Sequence, residues 1–168
     1  MQRANSPKID TDFMEIERKF IVDIENWQNI AKGKGERIIQ GYLYSSIDKT
    51  IRVRVMGDNG FITIKGKTVN ISREEYEYPI PANEAAEIIN KLADGVIEKK
   101  RYTITYKSKT WEVDEFLGDN EGLIVAEIEL DSEGEQFELP QWVGKEVSDD
   151  ARYYNSNLLK SPFKLWKK

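Results

Sequence analysis

Between Phe13 and Leu130 the chain is built almost entirely of short segments in which apolar and charged residues alternate. The run Met14-Glu15-Ile16-Glu17-Arg18-Lys19-Phe20 shows the pattern, with Glu15, Glu17 and Lys19 on one parity. Successive side chains of a strand point to opposite faces, so a period of two predicts strands and leaves little room for a helical fold. Strands are expected near 13–22, 38–45, 50–57, 61–67, 73–80, 97–107, 111–117 and 123–130, with turn signals at 57–60 and 118–122. Helices are expected at 23–32, 82–94 and 149–160. The second has Ala85, Ile88, Ile89 and Leu92 on one face and Gly95 as its stop; the third begins at Asp149 and Asp150 and continues through Tyr153, Asn157 and Leu158. Eight strands in 168 residues predict an α+β chain, an eight-stranded antiparallel β-barrel flanked by a few helices. Residues 1–12 are polar and without period and read as a flexible tail, with Met14 a candidate start; 13–168 reads as a single domain.

The two faces of these strands differ. Ile51, Val53 and Val55, then Ile62 and Ile64, then Ala126, Ile128 and Leu130 make an apolar face. The opposite parity carries Arg52 with Arg54, Lys65 with Lys67, Arg73 with Glu75 and Glu77, Lys99 with Arg101, Glu112 with Asp114, and Glu127 with Glu129. On one strand such a face would simply meet water. In a closed barrel one parity must point inward. If helices 82–94 and 149–160 cover the apolar face from outside, the charged face lines the lumen. Burying charge costs several kcal/mol per ion unless partners restore what hydration gave, so a charged interior points to function. Acids and bases balance on this parity. Two divalent cations held by the acids would add about +4 and suit the lumen to a small, highly charged anion. Arginine would meet phosphate oxygens in pairs and lysine as a point charge.

Composition removes other chemistries. Without cysteine or histidine there is no disulfide, no thiolate nucleophile, no zinc site of the usual type and no Ser-His-Asp triad. A bound metal would take oxygen ligands, which favours Mg²⁺, Mn²⁺ or Ca²⁺. A net charge of −5 argues against a nucleic-acid partner, and no apolar run is long enough for a membrane helix or a signal peptide. The expected location is the cytoplasm; oligomeric state is open, a homodimer included.

The segment Glu15-Ile16-Glu17-Arg18-Lys19 fits the Glu-x-Glu-x-Lys signature of the CYTH domain, or triphosphate tunnel metalloenzyme, family. More of the chain follows in family order: QGYL at 40–43, IRVR at 51–54, TIKG at 63–66, REEYEY at 73–78, EKKRY at 98–102, WEVDEF at 111–116, AEIEL at 126–130 and GKEVSDDARYYN at 144–155. The chain resembles the short bacterial members of that family, and the resemblance spans 14–160. It implies an eight-stranded tunnel and hydrolysis or transfer at a triphosphate with Mg²⁺ or Mn²⁺. It also implies metal ligation by Glu15, Glu17, Glu127 and Glu129, joined by Glu75, Glu77 or Asp114. Lys19, Arg52, Arg54, Lys65 and Arg101 are implied phosphate ligands, and Tyr42 with Lys99 an implied pair that positions or deprotonates the attacking water. Arg152 could reach phosphate from the terminal helix or form a structural salt bridge. Lys67 extends the basic run and is open between a lumen role and an exposed lysine at the tunnel mouth, while Arg73 can pair with Glu75 or an acid of a neighbouring strand and Glu112 can form a similar pair. Arg18 reads as a surface ion pair, and Tyr154, Trp142 and Trp166 as packing residues.

The expected activity is metal-dependent hydrolysis of inorganic tripolyphosphate. The alternatives are a nucleoside or thiamine triphosphatase or an adenylyl cyclase of the same family. A non-catalytic polyphosphate-binding module is disfavoured because anion binding alone needs no acids. A carrier of apolar ligands is denied by the charged parity.

Overall fold

The structure is a computed structural model, and it describes residues 13–166. The expected tail at 1–12 lies outside the described residues. The strands are β1 (Met14–Val22), β2 (Glu36–Ser45), β3 (Thr50–Met56), β4 (Asn59–Lys65), β5 (Ser72–Ile80), β6 (Gly95–Tyr106), β7 (Lys109–Phe116), β8 (Ile124–Glu129) and β9 (Val143–Glu146). Helix α1 is Ile24–Gln28, α2 is Ala82–Leu92 and α3 is Asn155–Leu158. All pairings are antiparallel, and the order β5-β4-β3-β2-β6-β7-β8-β1 closes on itself through a β1–β5 pairing. This is the expected eight-stranded barrel. Strand β1 is the seam. One edge pairs with β8, while the other is divided: Glu15 sits opposite Arg73 of β5, and Phe20 opposite Glu146 of β9. Sequence patterning did not anticipate β9, a four-residue strand.

Charged residues alternate inward, so most of the apolar core lies outside the barrel wall. On one side α2 packs Ala85 and Ile89 against Val53, with Ile39, Val55 and Ile62 around them. A side chain at Gly41 would meet Ala93 at 2.8 Å and one at Gly60 would meet Ala85 at 2.8 Å, so both glycines let the helix lie close. On the other side Trp27 of α1 and Trp142 close over Phe20, Tyr102, Trp111 and Ile128. The indole rings of Trp27 and Trp142 meet edge to face at 5.3 Å.

The terminal segment corrects two expectations. It is not one helix over 149–160: a 3-10 turn at Ala151–Tyr153 and the short α3 are separated by Tyr154, whose backbone is extended. Nor does it cover the outer face. Leu158 is buried against Tyr42, Ile97, Phe116 and Val125, which share the inward parity, with Tyr153, Phe163 and Trp166 packed behind. The segment is an apolar plug in part of one barrel end. No helix among the described residues is long and apolar enough to cross a membrane.

Candidate active site

The inward parity surrounds two cavities of about 510 and 460 Å³ whose walls share Glu15, Glu17, Lys19, Arg52, Lys65 and Arg73. The first opens beside the β2–β3 turn at Ser46 and Ile47, bordered by Lys67 and the terminal segment. The second reaches the β6–β7 turn at Ser108 and adds Arg54, Glu75, Glu77, Arg101, Glu112, Glu127 and Glu129. These two turns lie at opposite ends of the strands, so the charged lumen runs the length of the barrel.

Most of its cations are held by acids. Lys65 donates to both oxygens of Glu15 at 2.8 and 2.9 Å and reaches Glu75 at 2.5 Å, while Arg73 donates to Glu15 at 2.7 Å. Lys19 pairs with Glu17 and Glu127. Arg54 donates to Glu77 at 2.9 Å, and the Thr63 hydroxyl to the same carboxylate at 2.7 Å. Arg101 binds Asp114 through two nitrogens at 2.7 Å each, Glu127 at 3.0 Å, and Glu112. Arg52 differs. Among the described residues it forms no ion pair, and its buried Nε has no partner.

The acids are not all held. Glu17 and Glu129 face each other in register across β1 and β8, and Glu112 faces Glu127 across β7 and β8. Burial and the adjoining Glu127 push the Glu17 carboxyl up against the pull of Lys19. Burial, then repulsion from Glu15, Glu17 and Glu112, does the same to Glu129, which has no cation partner among the described residues. Burial pushes Glu75 up to about 7, opposed by Lys65 and reinforced by Glu15. Glu15 goes the other way, because Lys65 and Arg73 outweigh its burial and hold it well below the usual carboxylate range.

Carboxylates placed side by side are destabilising unless a cation lies between them. The donors are all carboxylate oxygens, which fits hard divalent cations such as Mg²⁺ or Mn²⁺. Among the described residues no three acids already converge in ligating geometry, since several are turned toward lysine or arginine. The residues fit a metal whose arrival would exchange ion pairs for metal bonds.

Lys19, Arg52, Arg54, Lys65 and Arg101 line the lumen together with Glu15, Glu17, Glu75, Glu77, Glu127 and Glu129, as the sequence suggested. Three expected residues sit elsewhere. Asp114 is 0% exposed, lines neither cavity and is paired with both Lys99 and Arg101. Lys99 is 1% exposed and bonds Asp114 at 2.5 Å; no hydrogen bond joins it to Tyr42 among the described residues. Burial, with Arg101 beside it, pulls Lys99 down to about 8 against the opposing Asp114. Arg152 is on the outside. It folds back onto Asp150 at 2.6 Å, over the rings of Tyr153 and Trp166, held there by the same carboxylate that caps its 3-10 turn.

Arg73 and Glu112 line the lumen as ion-paired residues, Arg73 with Glu15 and Glu112 with Arg101, and Lys67 lies at the first mouth, beyond the end of β4. Arg18 pairs with Glu146 outside, and Trp142 and Trp166 are packing residues, as expected. Tyr154 instead borders the first cavity. Sequence reading missed Thr63, Gln40 and Asn155. Thr63 and Gln40 share parity with Lys65 and Tyr42 and could have been found that way; Asn155, which lines both cavities, had no such signal.

The family model of the CYTH domain matches residues 14–156. A protein of Acetivibrio thermocellus named inorganic triphosphatase is 53% identical over 154 residues, 91% of this chain and 97% of that protein. One of the same name from Nitrosomonas europaea is 33% identical over 150 residues, 86% of this chain and 95% of that protein. The crystal structure of the inorganic triphosphatase NE1496 superposes with a TM-score of 0.60 at 31% identity, covering 86% of this chain and 93% of that one. The match covers the strands that close the barrel and every lumen residue named above, and on these grounds the chain belongs to the CYTH domain family.

Proposed function

We propose that this chain is a divalent-cation-dependent hydrolase of inorganic triphosphate that works inside its charged lumen. One observation carries the reading: among the described residues a single lumen combines cations held by exchangeable acids, an Arg52 without an ion pair, and a Glu129 that faces Glu17 with no cation of its own. An anion site alone would have no use for the acids. Two relatives named inorganic triphosphatase, matched over nearly their whole length, support it.

The chemistry follows from charge. Arg52 is free to meet the entering anion first. Lys19, Lys65, Arg54 and Arg101 then exchange carboxylate for phosphate oxygens, bonds of similar strength and geometry. The acids they release, Glu15, Glu17 and Glu127 with Glu75 or Glu77, together with the uncommitted Glu129, would hold Mg²⁺ or Mn²⁺. When bound, the metal supplies charge neutralisation of the triphosphate and acidification of water. Asp114 grips Arg101 bidentately and thereby fixes its guanidinium toward the lumen. Tyr42, at the wall of the first cavity, is the protein group suited to orient or deprotonate water for in-line attack on a terminal phosphorus.

The test offers purified protein tripolyphosphate, ATP and thiamine triphosphate, each with Mg²⁺, with Mn²⁺ and with EDTA. Metal-dependent phosphate release from tripolyphosphate, with little from the others, is expected. Cyclic AMP and pyrophosphate from ATP would overturn it. So would tight, metal-independent binding without turnover.

A further inference from the structure

We propose that Gln40 is a positioning residue for Tyr42: its side-chain amide donates to the phenolic oxygen, turns the remaining O–H toward the lumen and favours its ionisation. This rests on the reading of Tyr42 as the group that handles the attacking water. Gln40 and Tyr42 stand two apart on the inward face of β2, and Gln40 Nε2 lies 2.8 Å from the Tyr42 hydroxyl. Tyr42 lines the first cavity, whereas Gln40 lines neither. Anything Gln40 contributes to chemistry must therefore pass through Tyr42.

An amide at this position is costly. Gln40 is 0% exposed, and its Oε1 has no partner. Leaving one buried polar atom unpaired is destabilising. Ile97 lies directly opposite it on β6, and Ile38 precedes it on the same face; both are buried and apolar. A leucine would satisfy that packing without the penalty, so the buried amide needs another reason to be present. The bond to Tyr42 supplies one. A phenol oxygen that accepts from an amide N–H has its own hydrogen left for another acceptor, and the same donor stabilises the phenolate.

Two further features converge on Tyr42. The β2–β3 register shifts between Tyr42 and Tyr44, an irregularity of the kind that re-aims a side chain. The charged groups that face the hydroxyl are Arg52 from β3, Arg73 from β5 and Lys19 from β1. Glu15 and Glu17 share its cavity, while Tyr154 and Lys160 border it from the terminal segment and Tyr153 packs in the plug. Lys99 on β6 is held by Asp114. Burial pushes the hydroxyl up and Arg52 draws it back down.

The test compares Gln40→Leu, Gln40→Glu, Tyr42→Phe and the Gln40→Leu/Tyr42→Phe double variant, with thermal melts to confirm folding. Gln40→Leu should lower kcat about tenfold or more while KM stays within about twofold. The pH limb on which kcat rises should move up by about one unit, since losing a donor to the phenolate raises its pKa. Gln40→Glu keeps the shape but can only accept, and its charge opposes a phenolate, so the loss and the shift should be larger. In the Tyr42→Phe background Gln40→Leu should change residual turnover by less than about twofold.

A wild-type rate for Gln40→Leu, an equal loss in both backgrounds, or a loss with an unmoved limb would each overturn the proposal. Tyrosinate absorbance, taken as the difference with and without Tyr42, reads the hydroxyl directly: a higher titration midpoint in Gln40→Leu supports the proposal and an unchanged one overturns it. If Tyr42→Phe turns over as fast as wild type, the role of Tyr42 in the proposed function falls. The absorbance difference then decides alone whether Gln40 sets the ionisation of Tyr42.

Discussion

Glu17 on β1 and Glu129 on β8 stand directly opposite each other on the lumen wall, two carboxylates with one lysine, Lys19, which is two residues further along β1 and pairs with Glu17. Without a metal this arrangement is strained by repulsion. Glu129→Gln should therefore raise the melting temperature by a few degrees in EDTA and remove most of the stabilisation that added Mg²⁺ gives. Turnover of tripolyphosphate should fall by about a hundredfold or more. Scanning calorimetry with and without Mg²⁺, beside a phosphate-release assay, checks both; unchanged activity would remove Glu129 from the metal set.

Arg52 stands without an acid, and a half-buried guanidinium without a counter-ion favours an incoming anion. Arg52→Gln should raise KM for tripolyphosphate about tenfold or more and leave the melting temperature equal or higher. Isothermal titration with the triphosphate in EDTA reads the same loss without turnover.

Glu75 makes stability depend on pH. Its carboxyl lies near 7 in the folded chain against an ordinary 4.5. A raised pKa contributes stability below the unfolded value that is lost as pH rises through the folded value. Between pH 5 and pH 8 the wild-type chain should lose on the order of 1–3 kcal/mol from this group. Glu75→Gln, which stays neutral, should match wild type near pH 5 and exceed it at pH 8. Denaturant unfolding in EDTA at both values would detect the difference, and parallel curves would refute it.

Leu158 is wholly buried in the plug formed by the terminal segment. Leu158→Ala should cost about 2–5 kcal/mol of stability, as for other cavities opened in a packed core. Because Tyr42 belongs to the same cluster, turnover should fall as well, while Ala substitution of exposed Leu165 should do neither. Chemical denaturation and kinetics on the two variants separate plug from surface.

The barrel and its lumen were legible because alternation fixes which side chains share a face, and closure then leaves one place for the charged set. Glu15, Arg52, Lys65 and Glu127 needed nothing more than parity. Pairing within the lumen was not legible, because it depends on the register between neighbouring strands. The β6–β7 register brings Asp114 diagonally to Lys99, while the β2–β6 register sets Tyr42 opposite Gly95. Strand β9 forms only because β5 leaves half of one β1 edge unpaired, and Gly144 and Lys145 carry no strand signal of their own. The acidic start at Asp149 and Asp150 suggested a helix, but packing of Tyr153 and Leu158 into the barrel end overrides that local preference.

The divided edge of β1 has a consequence for synthesis. Lys19 and its lumen partner Glu127 are 108 residues apart, and β9 is later still. Strand β1, synthesised before the other described strands, must wait for most of them before any of its inward charges meets a partner across the β8 seam. Until then β1 to β7, with β1 joined through β5, can form only an open, curved sheet with two exposed edges. Closure should be a late, slow event in folding, and the nascent chain should depend on that delay being short.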